Sequence, residues 1–215
     1  MAMEKEVDAA LLATVNTRAH EIHQKHVQQN PATALKASRE ESLALLQSWV
    51  ASESLRKHAL AVEAAMRAYA KKFGEDEALW GATGLLHDFD YEKNPTLDTH
   101  VFVGIPVLAE LGYPAPLLDA IMGHADYFEL PRTTKLSQTL FAVDELSGFL
   151  TALAYIRPNK SLANLEFSSF NKKYKDKAFA RSVSREDIVK GAAEMGVELQ
   201  EHVLFVAGAV QSVTR

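Results

Sequence analysis

Apolar positions along most of this chain recur at three- and four-residue steps, and clear alternation at steps of two is lacking, so the predicted elements are helices. The clearest is "SESLRKHALAVEAAMRAYAKKFG". Ser52 or Ser54 can cap it, Leu55, Val62, Met66, Tyr69 and Phe73 form its stripe, and Gly74 ends it. A second helix is expected from Asp76 to about Asp88. "DTHVFVGIPVLAELG" reads as a helix from the cap Asp98 to Gly112, with Val103, Val107 and Leu111 inward. Pro106 within it predicts a kink or a later start. Pro114 or Pro116 opens the next helix, which carries Leu117, Ile121 and Phe128. "LSQTLFAVDELSGFLTALAYI" is apolar enough to be the central helix of a bundle, and Pro158 stops it. "SREDIVKGAAEMG" is a capped helix with an acidic first turn. "VELQEHVLFVAGAVQSV" is apolar over most of its circumference, which suits packing on the core or against a second copy.

No repeat, Gly/Ser linker or low-complexity run divides the chain, and 215 residues can bury one substantial core. The fold class read from the pattern is therefore all-α, a single-domain helical bundle. Residues 1–40 are more polar and are expected to form a loosely attached helical arm on a domain spanning 41–215. A net charge of −5 argues against a broad basic face for extended nucleic acid. The absence of cysteine removes disulfides, thiolate metal sites and a cysteine nucleophile together. No apolar run of signal-peptide or membrane-spanning length is seen, so no membrane is expected and the reading is a soluble, cytoplasmic protein.

Polar residues interrupt these stripes at particular places. His58 continues the line of Leu55 and Val62, His100 that of Val103 and Val107, and His124 falls between Ile121 and Phe128. Asp144 sits in "LFAVDELSG" among Leu140, Phe141, Val143 and Phe149, and His87-Asp88 follows two leucines at a helix end. Any one inward histidine reads most simply as a hydrogen-bonded core residue. An unpaired buried carboxylate costs several kcal/mol or is forced to neutralise. A metal ion accounts for the whole set at once, because imidazole and carboxylate groups from facing helices are how bundles build metal sites.

Taken in order, His58, the adjacent pair His87-Asp88, then His100, His124 and Asp144 resemble the HD-domain superfamily of metal-dependent phosphohydrolases. "LLHDFDYEK", "THVFVGIPVLAELGYP" and "FAVDELSGF" are similar to that family's segments, and the likeness is strongest from about Leu55 to Leu150. In length the chain is similar to small HDIG-type members. The resemblance implies that His58, His87, Asp88 and Asp144 hold a first metal. It implies that His100 and His124 hold a second where two bind, with Asp88 as the bridge. The sequence departs from the alarmone-hydrolase motif HDxxED, since Phe89, Asp90, Tyr91 and Glu92 follow His87-Asp88. The loop signature of the cyclic-dinucleotide branch is not seen either.

The implied activity is hydrolysis of a small phosphate ester, a nucleotide being the commonest substrate type, by water activated at one or two divalent ions, with Asp88 as catalytic ligand. The mixed nitrogen and oxygen donors suit Mn, Fe, Co, Ni or Zn better than Mg. Arg157 and Lys173, from a basic run beyond the central helix, are the expected substrate clamp, although such runs are commonly solvated helix faces. Asp90 and Glu145 are candidates to hold histidine tautomers from behind. His20, His23 and His26 read as a solvated face, His202 as a packing histidine, and Trp49 and Trp80 as core or interface residues. Two other functions share the ligand set: a di-iron oxygenase, and a non-catalytic domain that senses a nucleotide or binds a partner. The tyrosine-to-leucine stretch 91–97 is the expected rim of the substrate pocket.

Overall fold

Capping chemistry sets where the helices begin and end. The computed structural model describes residues 9–213. Its first half contains α1 (Ala9–Ile22) running into a π-helical turn (His23–Gln28), then α2 (Arg39–Trp49), α3 (Glu53–Phe73) and α4 (Glu77–Leu86). There follow α5 (Gly104–Glu110), α6 (Ala115–His124), α7 (Lys135–Ile156), α8 (Phe167–Tyr174), α9 (Arg185–Glu194) and α10 (Leu199–Val210). No strand occurs among the described residues. Ser38 and Glu41 cap α2 reciprocally, Ser52 caps α3, Asp76 caps α4, Thr134 caps α7 and Ser184 caps α9. Gly74 closes α3 at φ 71°, a left-handed conformation that glycine adopts without steric cost.

The bundle is built around α7, which packs against α3, α6, α9 and α10. It is the one described helix long and apolar enough to cross a membrane, and its apolarity has a plainer cause, since most of it is covered by neighbouring helices. From α3, Val62, Met66 and Tyr69 are buried, each adding roughly 1.5–3 kcal/mol of transfer free energy. The closest helix contacts run over glycine. A Cβ on Gly84 of α4 would lie 2.9 Å from the Val62 carbonyl, and one on Gly191 of α9 would lie 2.5 Å from Cα of Ala142. These approaches draw α4 onto α3 and α9 onto α7.

Two buried polar groups fasten the layers. His202, wholly buried on α10, receives a hydrogen bond at Nδ1 from the Tyr69 hydroxyl (2.6 Å) and donates from Nε2 to the Ala142 carbonyl (3.0 Å). The carbonyl can only accept, which fixes the tautomer. Burial lowers the pKa of this histidine and keeps it neutral. This ties the last helix to α3 and α7. Glu63, buried on α3, takes a two-pronged bond from Arg39 of α2 and another from Arg67.

The structure sharpens or corrects the sequence reading in four places. The helix drawn from Asp98 takes the later start that Pro106 allowed, beginning at Gly104 after turns through residues 98–103. Pro106 then falls in the first turn, where its missing N–H costs no intrahelical bond, and Ile105 and Leu108 face inward while Leu111 is 58% exposed. Phe128 is buried from a short 3-10 turn beyond α6, not from the helix itself. The basic segment after α7 forms α8, whose Phe170 packs edge-on against Phe149 (5.0 Å between centroids). Finally, residues 9–40, the described part of the N-terminal arm, pack on the core, while residues 1–8 lie outside the described residues. Val15, Ala19 and Val27 are buried, and His23 pairs with Asp119 of α6 at 2.7 Å, so it is not a solvated-face residue.

The glycine contacts make a paired prediction. Gly191→Ala forces backbone apart and should destabilise the protein by about 2 kcal/mol or more. Gly208→Ala, on an open face of α10, should stabilise it by up to about 1 kcal/mol through helix propensity. Denaturant unfolding of the two variants checks both signs.

Candidate metal centre

The six residues singled out in the sequence meet at one place. His58 projects from the second turn of α3, and His87 and Asp88 follow the last turn of α4. His100 comes from the turns before α5, His124 from the end of α6, and Asp144 from the middle of α7. They form two groups, His58–His87–Asp144 and Asp88–His100–His124, whose ligand atoms within each group lie within 4.8 Å of one another. The groups adjoin: the His58 and His87 rings are 5.2 Å apart, His87 and His124 5.4 Å, and His100 and His124 5.5 Å. Asp88 stands between them. Its Oδ1 is 3.2 Å from Nε2 of both His100 and His124, while its Oδ2 is 3.6 Å from Nε2 of His87.

Backbone and carboxylate acceptors set the faces of the rings. Nδ1 of His87 donates to the Gly84 carbonyl (2.8 Å), and Nδ1 of His124 donates to the Ile121 carbonyl (2.6 Å). Nδ1 of His100 pairs with Oδ1 of Asp90 at 3.0 Å. In all three rings Nε2 is thereby turned to the centre, the arrangement in which an outer acceptor orients a ligating imidazole. His58 points Nε2 at Oδ1 of Asp144, 2.9 Å away. Nε2 of His87 is the telling atom. It is buried without a hydrogen-bond partner, 3.3 Å from Asp144 and aimed between the two carboxylates. A buried imidazole nitrogen left unpaired costs about 1–3 kcal/mol, and a divalent ion at this point would satisfy it. The donor set of four imidazoles and two carboxylates fits such an ion.

Charge coupling within the centre is strong. Burial would lower the pKa of His87, but the carboxylates of Asp88 and Asp144 outweigh it and push the group up to about 9. His100 is likewise pushed up to about 9, burial being overcome by Asp88 and Asp90. Burial would raise Asp88 and Asp144, yet the neighbouring histidines hold both carboxyls well below the usual carboxylate range. Glu145 behaves in the opposite way. Burial, then the charge of Asp144, raise it to about 8.

Asp90 does what the sequence reading offered for it. It is buried, and while one oxygen holds His100 the other accepts from the Gly104 amide (2.9 Å). Gly104 is needed there, because a Cβ would lie 2.8 Å from the Phe89 ring and 3.0 Å from the Asp90 carboxyl. Val101, directly after His100, is a buried β-branched residue at φ 68°, a conformation that costs about 1–3 kcal/mol and is imposed by its surroundings. Glu145 holds no histidine; it accepts from the Ser184 amide at the start of α9.

The centre forms the floor of a cavity of ≈ 530 Å³. Tyr91, Pro95, Thr96 and Leu97 line it, as the rim reading of 91–97 expected, and Tyr127 and Phe141 stand on the other walls. The substrate clamp needs correcting. Neither Arg157 nor Lys173 lines the cavity. Arg157 ends α7, about 20 Å along the helix from Asp144, and its guanidinium binds the carbonyls of Ser161 and Ala163. Lys173 pairs with Asp176 at 3.4 Å and lies over the Phe179 ring. Among the described residues no Lys or Arg lines the cavity, whereas Asp126 and Asp187 join Asp88, Asp144 and Glu145 on its surface. The sequence reading missed Asp187 and Tyr127, whose places depend on how the segments before α7 and before α9 fold back.

Residues 55–148, which contain all six converging side chains, match the family model described as the HD domain. No curated protein and no solved structure matches the chain.

Two measurements test the centre. His87 and His100 carry protons near neutral pH without an ion, since their pKa values lie at about 9, and ligation must expel those protons. Metal affinity should therefore rise with pH up to about 9, and calorimetry in buffers of different ionisation enthalpy should register proton release. Asp90→Asn should weaken the ion held by Asp88, His100 and His124 by about 10–100-fold. Metal analysis of the dialysed variant should then show about one ion lost and the other kept.

Proposed function

We propose that this chain, a member of the HD-domain superfamily, is a metal-dependent phosphohydrolase that cleaves a small phosphate ester with activated water. The observation that carries the reading is the convergence of six side chains in two adjoining groups beneath one cavity, with Nε2 of His87 buried and unpaired among them. Bound divalent ions lower the pKa of water and offset charge on a phosphoryl oxygen. The chain's own part is positional. Gly84, Ile121 and Asp90 lock three imidazoles so that each presents Nε2 inward. Asp88, held ionised and facing both groups, would be available to ions held on either side and could accept a hydrogen bond from the attacking water and so orient it. Tyr91, Leu97, Tyr127 and Phe141 narrow the access of bulk water to the floor of the cavity. No serine or cysteine nucleophile is required.

Mn, Fe, Co, Ni or Zn suits these donors better than Mg. A second reading, a di-iron oxygenase, draws on the three-and-three division of the ligands and on the lack of a Lys or Arg clamp in the cavity. The two readings separate on iron content and on dependence of turnover on oxygen.

The purified protein should contain about one or two transition-metal ions per chain and release inorganic phosphate from phosphomonoesters with Mn, Co or Ni added. His87→Ala should abolish metal retention and lower turnover by about 100-fold or more, and Asp144→Asn should act similarly. Unchanged metal content in His87→Ala together with no phosphate release from any ester would sink the proposal.

A further inference from the structure

The N-terminal arm lies outside residues 55–148, which match the family model, yet it bears on one half of the metal centre. α1 and the π-helical turn pack mainly against α5, α6 and the 3-10 turn Asp126–Phe128. These elements flank His100 and His124. From α1, the Arg18 guanidinium donates to the Asp98 carbonyl (2.7 Å) and lies over the Phe102 ring, 4.7 Å from its centroid. Asp98 and Phe102 stand two residues before and two after His100, so one side chain brackets that ligand from both directions.

Phe102 passes the hold on to the other histidine. Its ring stacks on Phe128 (4.7 Å between centroids, 24° between planes), and both rings are buried. Phe128 lies four residues beyond His124. The bracketed segment needs restraint, because Val101 holds a left-handed backbone, φ 68°, that a β-branched residue does not keep unaided. Asp90 binds the His100 ring and the Gly104 amide, and neither bond reaches Asp98. The other group needs no such brace. His58 and Asp144 sit within long helices and His87 at the end of α4, where the helical backbone fixes them.

Resting on the metal-dependent reading above, we infer that Arg18 is a positioning residue for the ion held by Asp88, His100 and His124. Through it the arm governs the second ion while the ion at His58, His87 and Asp144 stays in place. Arg18 is exposed, so its removal opens no cavity and leaves no buried charge unpaired. A change in ion binding on its removal therefore reports local geometry and not loss of the fold.

Mn is titrated into the dialysed full-length chain and followed by calorimetry and by electron paramagnetic resonance, in which two neighbouring ions give a coupled signal that one ion does not. The native chain should bind two ions. In Arg18→Met one ion should bind about three- to tenfold less tightly, the scale of one lost hydrogen bond, and the other within about twofold of native. The coupled signal should then appear only at correspondingly higher Mn. Arg18→Lys keeps a cation over the ring and one donor, and should recover part of the loss. In a His124→Ala background, Arg18→Met should leave the remaining ion unchanged, which assigns the effect to the outer group. Lys72→Met removes a comparable cation, paired with Glu201 and lying over Phe205, and should leave both ions unchanged. Equal weakening of both ions, a lower melting temperature of Arg18→Met with ion binding unchanged, or a native chain that takes up a single ion overturns the inference. These titrations as expected, with no phosphate release from any ester, uphold it and defeat the phosphohydrolase reading. No metal uptake by the native chain defeats both.

Discussion

Two carboxylates drawn from water into the middle of a helical bundle set the terms for the rest of this molecule. Asp88 and Asp144 are each less than a quarter exposed, and ionised groups at such sites need close compensation. The compensation comes from four histidines on α3, α4, α6 and the turns before α5, so no ligand helix can shift without uncovering a charge. The same crowding raises His87 and His100 to about 9 and holds both carboxyls down. In this arrangement the electrostatics of the site and the packing of the fold are one problem.

Close backbone approach is what makes the solution reachable. Gly84 lets α4 settle on α3, which brings His87 to the edge of the His58 ring. Gly104 lets the start of α5 rest on Asp90, which in turn aims His100. Val101 carries the strain of this second junction in its left-handed backbone. Support behind the ligands is therefore as specific as the ligands themselves, and it comes mainly from backbone carbonyls and one buried carboxylate.

The helices and ligand residues were legible because each rests on local information. A capped start, a stripe at steps of three and four and a glycine stop mark α3 in the sequence, Ser184 with an acidic first turn marks α9, and apolarity with Pro158 as stop marks α7. His58, His124 and Asp144 stood out as polar residues on apolar lines, and Asp90 was a candidate for the role it fills at His100. Pro106 announced a later start for α5 as one alternative, but not its place, because the turns through 98–103 depend on Asp90 and the packing of Val101 rather than on local propensity. The arm was read as loose because its composition is polar. Three of its apolar residues, Val15, Ala19 and Val27, are nonetheless buried against the core, whereas Leu11 stays 42% exposed.

The one-dimensional chain carries the all-helical class and the inward placing of His58, His100, His124 and Asp144, and the resemblance adds the His87-Asp88 pair. The class and the inward placing follow from periodicity and from the cost of placing charge on an apolar stripe, both properties of a chain read in one dimension. Only the packed helices show the six as three and three, where the resemblance implied four and two about Asp88, and show Nε2 of His87, His100 and His124 turned inward. That packing also removed Arg157 and Lys173 from the cavity and put Asp187 and Glu145 on its wall. The reason is geometric. Which charges face one another across a cavity depends on the angles at which helices cross and on where loops turn back. A run of lysines in sequence carries no information about either.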